Sequence, residues 1–307
     1  MTDLNLNLKA KIGCEYRLRT ERNGVVTQET PPCFNLITDY GMNAVSRTSG
    51  WPLYAQVGSG SATPAFTDIA LQSRIATAEN SVAFTPSIDT VGRWLLLEKT
   101  FTFPAGTATG NISEVGIGAA STTNLISRAL IVDGLGNPTS ISVLADEDLV
   151  LTYKLWVKQP TADFTGTVDG KTFVVRAAVA NRTTSGSGSF RGFWGENAWS
   201  KGLFEWSARN DRAAVYDGAI GSITDEPSGA SLSVPAALIS SLGYVADSYT
   251  NEISIALGSN EANFATGISA VAWAMGVCCW QMSIDPPLAK ASPQTARINV
   301  TTTWARE

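Results

Sequence analysis

The chain has 307 residues, of which 44% are hydrophobic and only 16% charged, with a formal net charge of −5 and no histidine. That is enough material for one large or two ordinary domains with buried cores, and the low charge and many glycines favour turn-rich β structure over helical bundles. No basic surplus exists to neutralise phosphates, which argues against nucleic acid as a partner, and the missing histidine removes serine–histidine and cysteine–histidine nucleophile pairs and most catalytic zinc sites.

The first residues, "MTDLNLNLKAKIG", alternate polar and apolar side chains as a strand does, and lack the charged start, apolar middle and cleavage site of a secretory signal. They read as mature protein made in a cytoplasm. Next, "CEYRLRTERNGVVTQETPPCF" places two extended runs around Asn23-Gly24, the dipeptide that best accepts the two positive φ angles of a type I′ hairpin turn. In "FNLITDYGMNAVSRTSG", Thr38 or Asp39 is positioned to cap a short helix over residues 39–47, with Met42 and Val45 on its apolar face.

From Trp51 the pattern is strand, turn, strand, punctuated at Gly58-Ser59-Gly60, Pro104-Ala105-Gly106 and Gly134 to Pro138. In "VLTYKLWV", Val150, Thr152, Lys154 and Trp156 face one way and Leu151, Tyr153, Leu155 and Val157 the other. This is the rhythm of a β-sandwich or barrel.

The second half repeats the order of the first. "ATGNISEV" from Ala108 matches "ATGISAV" from Ala265, and "RWLLLEKTFTFPAG" precedes the one as "TNEISIALGSNEAN" precedes the other. "LISRALIVDGLGNP" is the counterpart of "WQMSIDPPLAKASP", "QVGSGSATPAFTDIALQ" of "GAIGSITDEPSGASLS", and each copy closes on a strand with a tryptophan, Trp156 and Trp304. The expected architecture is all-β: two tandem β-sandwich-like domains, 1–160 and 161–307, arising by duplication, with the strand "KTFVVRAAVA" opening the second.

Few side chains suggest chemistry. "GTVDGKT" at 166–172 ends like a phosphate-binding loop but is one residue short and runs into "FVVR", so it reads as a hairpin turn. Asp146, Glu147 and Asp148 form the densest acidic cluster, yet neighbours on a strand or turn diverge and calcium-loop spacing is missing, so a solvated turn is expected. Cys14, Cys33, Cys278 and Cys279 lack CxxC spacing and read as buried packing residues. The uncharged stretch "FATGISAVAWAMGVCCW" is broken by glycines and polar residues, and reads as an inward strand with its continuation, not a membrane span. No catalytic, cofactor or metal residues are assigned, and the chain is expected not to be an enzyme. The most aromatic stretch, "FRGFWGENAWSKGLFEW", supplies the candidate interface: Phe190, Phe193, Trp194, Trp199, Phe204 and Trp206.

Several stretches together resemble virion structural proteins of tailed bacteriophages, the tail-tip, fibre and decoration class. They are "CFNLITDYGMNAV", with an N-L-I-x-D-x-G start; "VGSGSATPAFTDIALQSRI", with V-G-x-G-x-x-x-P-x-x-x-D-x-x-L; "ISEVGIG" followed by "LISRALI" and "GNPTSISVLADEDLVLTYKL"; and the closing "WQMSIDPPLAKASPQTARINVTTTWAR". The resemblance implies a non-enzymatic particle component, most directly a tail-tip, baseplate or fibre protein acting in assembly and host contact. It also implies other virion proteins as partners, self-association with a trimer favoured, and contact with a host-surface receptor. A capsid decoration or head-fibre protein is the alternative within the class, and a carbohydrate-binding module using residues 190–206 the alternative outside it.

Overall fold

The computed structural model describes residues 2–46, 53–81, 84–178, 203–204 and 213–307. The strands are β1 (Thr2–Arg22), β2 (Val25–Glu29), β3 (Cys33–Phe34), β4 (Leu36–Ile37), β5 (Tyr54–Gly58), β6 (Arg74–Glu79), β7 (Thr85–Asp89), β8 (Trp94–Phe103), β9 (Gly110–Ile112), β10 (Glu114–Gly118) and β11 (Leu125–Leu130). They continue as β12 (Ile141–Val143), β13 (Asp148–Lys158), β14 (Phe164–Val168), β15 (Lys171–Ala178), β16 (Ala213–Tyr216), β17 (Ser231–Ser233), β18 (Ile239–Ser241), β19 (Thr250–Leu257), β20 (Ile268–Met275), β21 (Cys278–Leu288) and β22 (Ala296–Arg306). One α-helix among the described residues, α1 (Asp39–Ala44), follows β4.

Local signals explain many of these elements. Asn23 and Gly24 take φ of 51° and 77° between β1 and β2, the type I′ signature, and Asp169 and Gly170 do the same between β14 and β15 at 49° and 73°. The phosphate-loop look-alike is therefore a hairpin. Thr38 caps α1 by accepting from the Gly41 N–H at 3.0 Å. The helix is shorter than the expected 39–47: it ends at Ala44, with Val45 as its C-cap.

The longest strand organises the fold. Along Thr2–Ile12, β1 pairs in parallel with β22; along Lys11–Glu21 it pairs antiparallel with β13. Both halves of the chain therefore contribute to one nine-stranded sheet, with path β18-β19-β22-β1-β13-β8-β7 and with β2 and β3 also on β1. A five-stranded sheet, β4-β11-β10-β5-β6, and a six-stranded sheet, β14-β15-β21-β20-β16-β17, supply the second layer. Alternate residues of all three sheets, including Ile12, Tyr16, Leu97, Leu155, Ile253 and Val300 from the first, Val57 and Val115 from the second, and Val215, Val271 and Trp273 from the third, form one apolar cluster. The structure is a β-sandwich-like all-β fold whose halves share a sheet and a core.

The strand orders bear on the repeat. In the five-stranded sheet the path β11-β10-β5-β6 has the same order, and the same antiparallel pairings, as β21-β20-β16-β17 in the six-stranded sheet. In the nine-stranded sheet, β13-β8-β7 is mirrored by β22-β19-β18 on the other side of β1. Register corrects the sequence matches in detail. Val115 lies opposite Val57, and Val271 lies opposite Val215, so Val57 corresponds to Val215 and not to the "GAIGS" segment that begins at Gly218. The two closing tryptophans also part: Trp304 is buried toward the core, whereas Trp156 lies on the outer face over Gly13, beside Phe34 and Glu307.

The uncharged stretch 264–280 is a hairpin, not a span: β20 and β21 meet at a two-residue turn with Gly276 at φ 58°. Cys278 belongs to the main cluster and Cys279 to a smaller one on the opposite face, formed with Ala178, Ala214, Tyr216, Ala270, Ala272 and Ala274. All four cysteines are free and buried. Among the described residues, no helix is long and apolar enough to cross a membrane.

Candidate interaction surface

Two charged side chains, Glu114 and Arg128, lie inside otherwise uncharged strands. Glu114 opens β10 and Arg128 lies in β11; their side chains are 0% and 3% exposed, on the face of the five-stranded sheet that points away from the shared core. Burying either alone would be prohibitive, so they compensate each other. Arg128 Nη2 donates to Glu114 Oε2 at 2.8 Å and Nε at 3.1 Å, while Nη1 donates to Asp68 Oδ2 at 2.6 Å and Nη2 to the Ala62 carbonyl at 3.0 Å. Glu114 in turn accepts from the backbone N–H groups of Gly60, Gln72 and Ser73, at 3.1, 3.1 and 2.7 Å.

The consequence is a loop, residues 59–73 between β5 and β6, tied at both ends and in its middle. Gln72 Oε1 adds bonds from the Ser61 and Ala62 N–H groups, both at 2.8 Å, and a Cβ at Gly60 would collide with the Glu114 carboxylate. Among the polar and small residues that the loop shows to solvent are two large apolar side chains: Phe66 is 50% and Ile69 63% exposed.

A neighbouring loop, residues 242–249 between β18 and β19, leans on the same helix. Asn43 of α1 accepts from the Tyr244 hydroxyl at 2.6 Å and the Asp247 N–H at 2.8 Å, and donates to Asp247 Oδ1 at 2.8 Å. From the other loop, the Phe66 carbonyl accepts from the Asp39 N–H at 2.8 Å. Arg306 joins the two. Its guanidinium lies 4.1 Å from the Phe66 ring centroid and 5.9 Å from that of Tyr249, while Nη2 reaches Asp39 at 2.5 Å and Nε reaches the Ile37 carbonyl. Leu242 and Val245 on the second loop are 75% and 70% exposed. Two ordered loops thus flank one short helix and display Phe66, Ile69, Leu242 and Val245 to solvent. Such a surface suits contact with another macromolecule, because little ordering is left to be lost on binding.

The candidate interface from residues 190–206 fares differently. Phe190, Phe193, Trp194, Trp199 and Trp206 lie outside the described residues. Phe204 is fully buried, stacked on Trp304 with centroids 4.7 Å apart and planes at 2°, and its carbonyl accepts from Asn251 Nδ2. It packs inside the chain and offers no ring to a partner. Trp304 donates to the Met42 carbonyl, so this stack supports α1 from below.

The acidic cluster is only partly the solvated turn that was expected: Glu147 is 2% exposed, and it shares Arg22 with Asp146. Asp146 pairs with Arg22, Asp148 accepts from the Ala105 N–H, and Glu147 accepts from the Leu144 N–H and the Thr27 hydroxyl. Those bonds, the Leu144 N–H foremost, hold the Glu147 carboxyl below the usual glutamate range. Among the described residues, no group of three or more cysteines and carboxylates is arranged to hold a metal ion.

No protein-family model, no curated protein and no solved structure matches the chain.

Proposed function

We propose that the protein is a non-enzymatic structural component of a tailed-phage particle, a tail-tip, baseplate or fibre protein that acts by assembly and contacts the host surface. One observation carries the reading. The separated stretches on which the resemblance rests supply the residues of a single cluster: Gly60 and Asp68 from "VGSGSATPAFTDIAL", Glu114 from "SEVGIG" and Arg128 from "LISRAL". The start "NLITDYG" supplies Thr38, Asp39 and Gly41 of the capped helix beside it. Those residues have a common physical task, holding loop 59–73 and α1 in place, and that task belongs to a scaffold that presents a surface.

The second half supports a duplicated origin, with units near 1–160 and 161–307. At the position in β21 that corresponds by register to Arg128, Gln281 is 1% exposed and holds the β16–β17 connection: it accepts from the Gly221 N–H at 2.7 Å and donates to the Ser222 carbonyl at 2.6 Å. Different chemistry at the same place performs the same task.

The partners of such a protein are other virion proteins and further copies of itself, a trimer being the favoured assembly. Antibody labelling of intact particles tests the assignment. Label at the tail tip is expected; label over the head would sink the tail reading in favour of a decoration or head-fibre protein.

A further inference from the structure

On the outer face of the nine-stranded sheet, far along the sequence from the loops above, β13 ends at Lys158 while β1 continues beside β22. The space left open is a cleft of about 330 Å³ lined by Lys9, Lys11 and Lys158, with Gly92, Gln159, Thr161 and Glu307. Three lysines face one carboxylate there, in a protein whose net charge is −5. The carboxylate is already engaged: Glu307 accepts from Lys158 Nζ at 2.5 Å and from the Trp156 indole N–H. Burial opposes its ionisation, but those two bonds and the charges of Lys158 and Lys11 outweigh burial and leave it below the usual glutamate range. Among the described residues, Lys9 and Lys11 have no ion-pair partner within contact distance.

The strand register makes this arrangement costly. Lys11 and Lys158 are direct cross-strand partners, and like charges placed opposite each other destabilise a sheet. Lys9 follows two residues before Lys11 on the same face. Lys158 Nζ sits 5.8 and 5.9 Å over the rings of Trp94 and Trp156, which fixes its position at the rim. Lys158 is held by Glu307 and the two indoles, Lys9 and Lys11 stand exposed beside it, and positive charge gathered in this way is unfavourable alone and favourable once an anion is present.

We propose that this cleft binds the phosphate or carboxylate group of a sugar-sized anionic ligand. Lys9 and Lys11 supply the uncompensated charge, Lys158 is held ready by Glu307, and the volume lies within the range of small-ligand sites. The site is independent of the apolar loops and does not rest on the assignment to a phage particle.

Isothermal titration of the full chain at low salt, with inorganic phosphate, a hexose phosphate and a short uronic-acid oligosaccharide as probes, tests the proposal. Saturable binding of one saccharide, weakened at least about tenfold when salt is raised to about 0.3 M, is expected. The Lys9→Gln/Lys11→Gln variant should lose at least about tenfold in affinity while melting no lower than the unaltered protein, because a repulsion has been removed. Lys9→Arg/Lys11→Arg should retain binding, which separates lost charge from lost folding. Binding by the hexose phosphate or by the uronate identifies which source of the anion fits. Binding of inorganic phosphate alone, of no probe, or of a saccharide equally well by the glutamine variant overturns the proposal.

Discussion

Replacing Arg128 with methionine keeps most of the side chain's apolar length and deletes the guanidinium that lies between Glu114 and Asp68. Glu114 is then a fully buried carboxylate without its cation, and breaking a buried pair from one side costs about 3–5 kcal/mol. Glu114 still accepts from three backbone N–H groups, those of Gly60, Gln72 and Ser73, so the lower end, about 3 kcal/mol, is expected. For a chain of this length that corresponds to a fall of about 6 °C in melting temperature. Urea unfolding measures the loss, and limited chymotrypsin digestion at half-exposed Phe66 reports whether loop 59–73 has come free. Adding Glu114→Gln should recover part of the cost, giving a coupling of about 2 kcal/mol in the double-mutant cycle. A loss below about 1 kcal/mol, typical of a surface substitution, with unchanged cleavage at Phe66 would refute the claim that this ion pair fixes the loop.

Three further outcomes follow from the same structure. Burial pushes the Cys14 thiol up to about 12 and Cys278 higher still, so all four thiols should resist a bulky disulfide reagent in the native protein and react only on unfolding; rapid native reaction at Cys278 or Cys279 would overturn their placement. Gly41→Val would drive a Cβ into the Ile126 backbone and lift α1, costing about 2–3 kcal/mol in urea unfolding, with more frequent chymotryptic cleavage in both flanking loops; wild-type stability would show that the helix is not seated there. Lys99 is stripped of hydration by burial and its ammonium is pushed down to about 8 from 10.5. Its folded value lies below its unfolded one, so the unfolded chain holds more protons between about 8 and 10.5 and stability should rise with pH across that window. Lys99→Met should flatten that rise; an unchanged pH profile would contradict the assignment.

Much of the local structure was legible because its causes are local. Asn23-Gly24 and Asp169-Gly170 specify their turns by backbone preference, and Thr38 starts its helix through a hydrogen bond to a residue three positions on. The alternation in β13 set Leu151, Tyr153, Leu155 and Val157 on one face, and that face is the one that joins the core. What stayed hidden depends on partners far away in sequence. Nothing near Thr2 announces that β1 will run parallel to β22, and that pairing is what merges the two halves into one sheet. Trp156 and Trp304 look equivalent as closing tryptophans, yet a strand has two faces and register alone decides which one a residue occupies.

The interaction surface was legible only in part. Glu114 and Arg128 stand out in the sequence as single charges within apolar strands, which signals a buried pair, but Asp68 and the loop they hold come from another segment. Asn43 and Arg306, which dock the second loop and stack beneath Phe66, carry no sequence signal beyond their polarity. Aromatic density drew attention to residues 190–206, whereas the exposed apolar side chains that flank α1 are spread singly over two distant segments.

The most direct test of the central claim is a cryo-microscopy map of the intact particle at side-chain resolution. This chain is expected in the tail tip or baseplate, with Phe66, Ile69, Leu242 and Val245 buried against neighbouring subunits and the Glu114–Arg128 pair intact beneath them. A particle that lacks the chain, or one in which those four side chains face solvent, would contradict it.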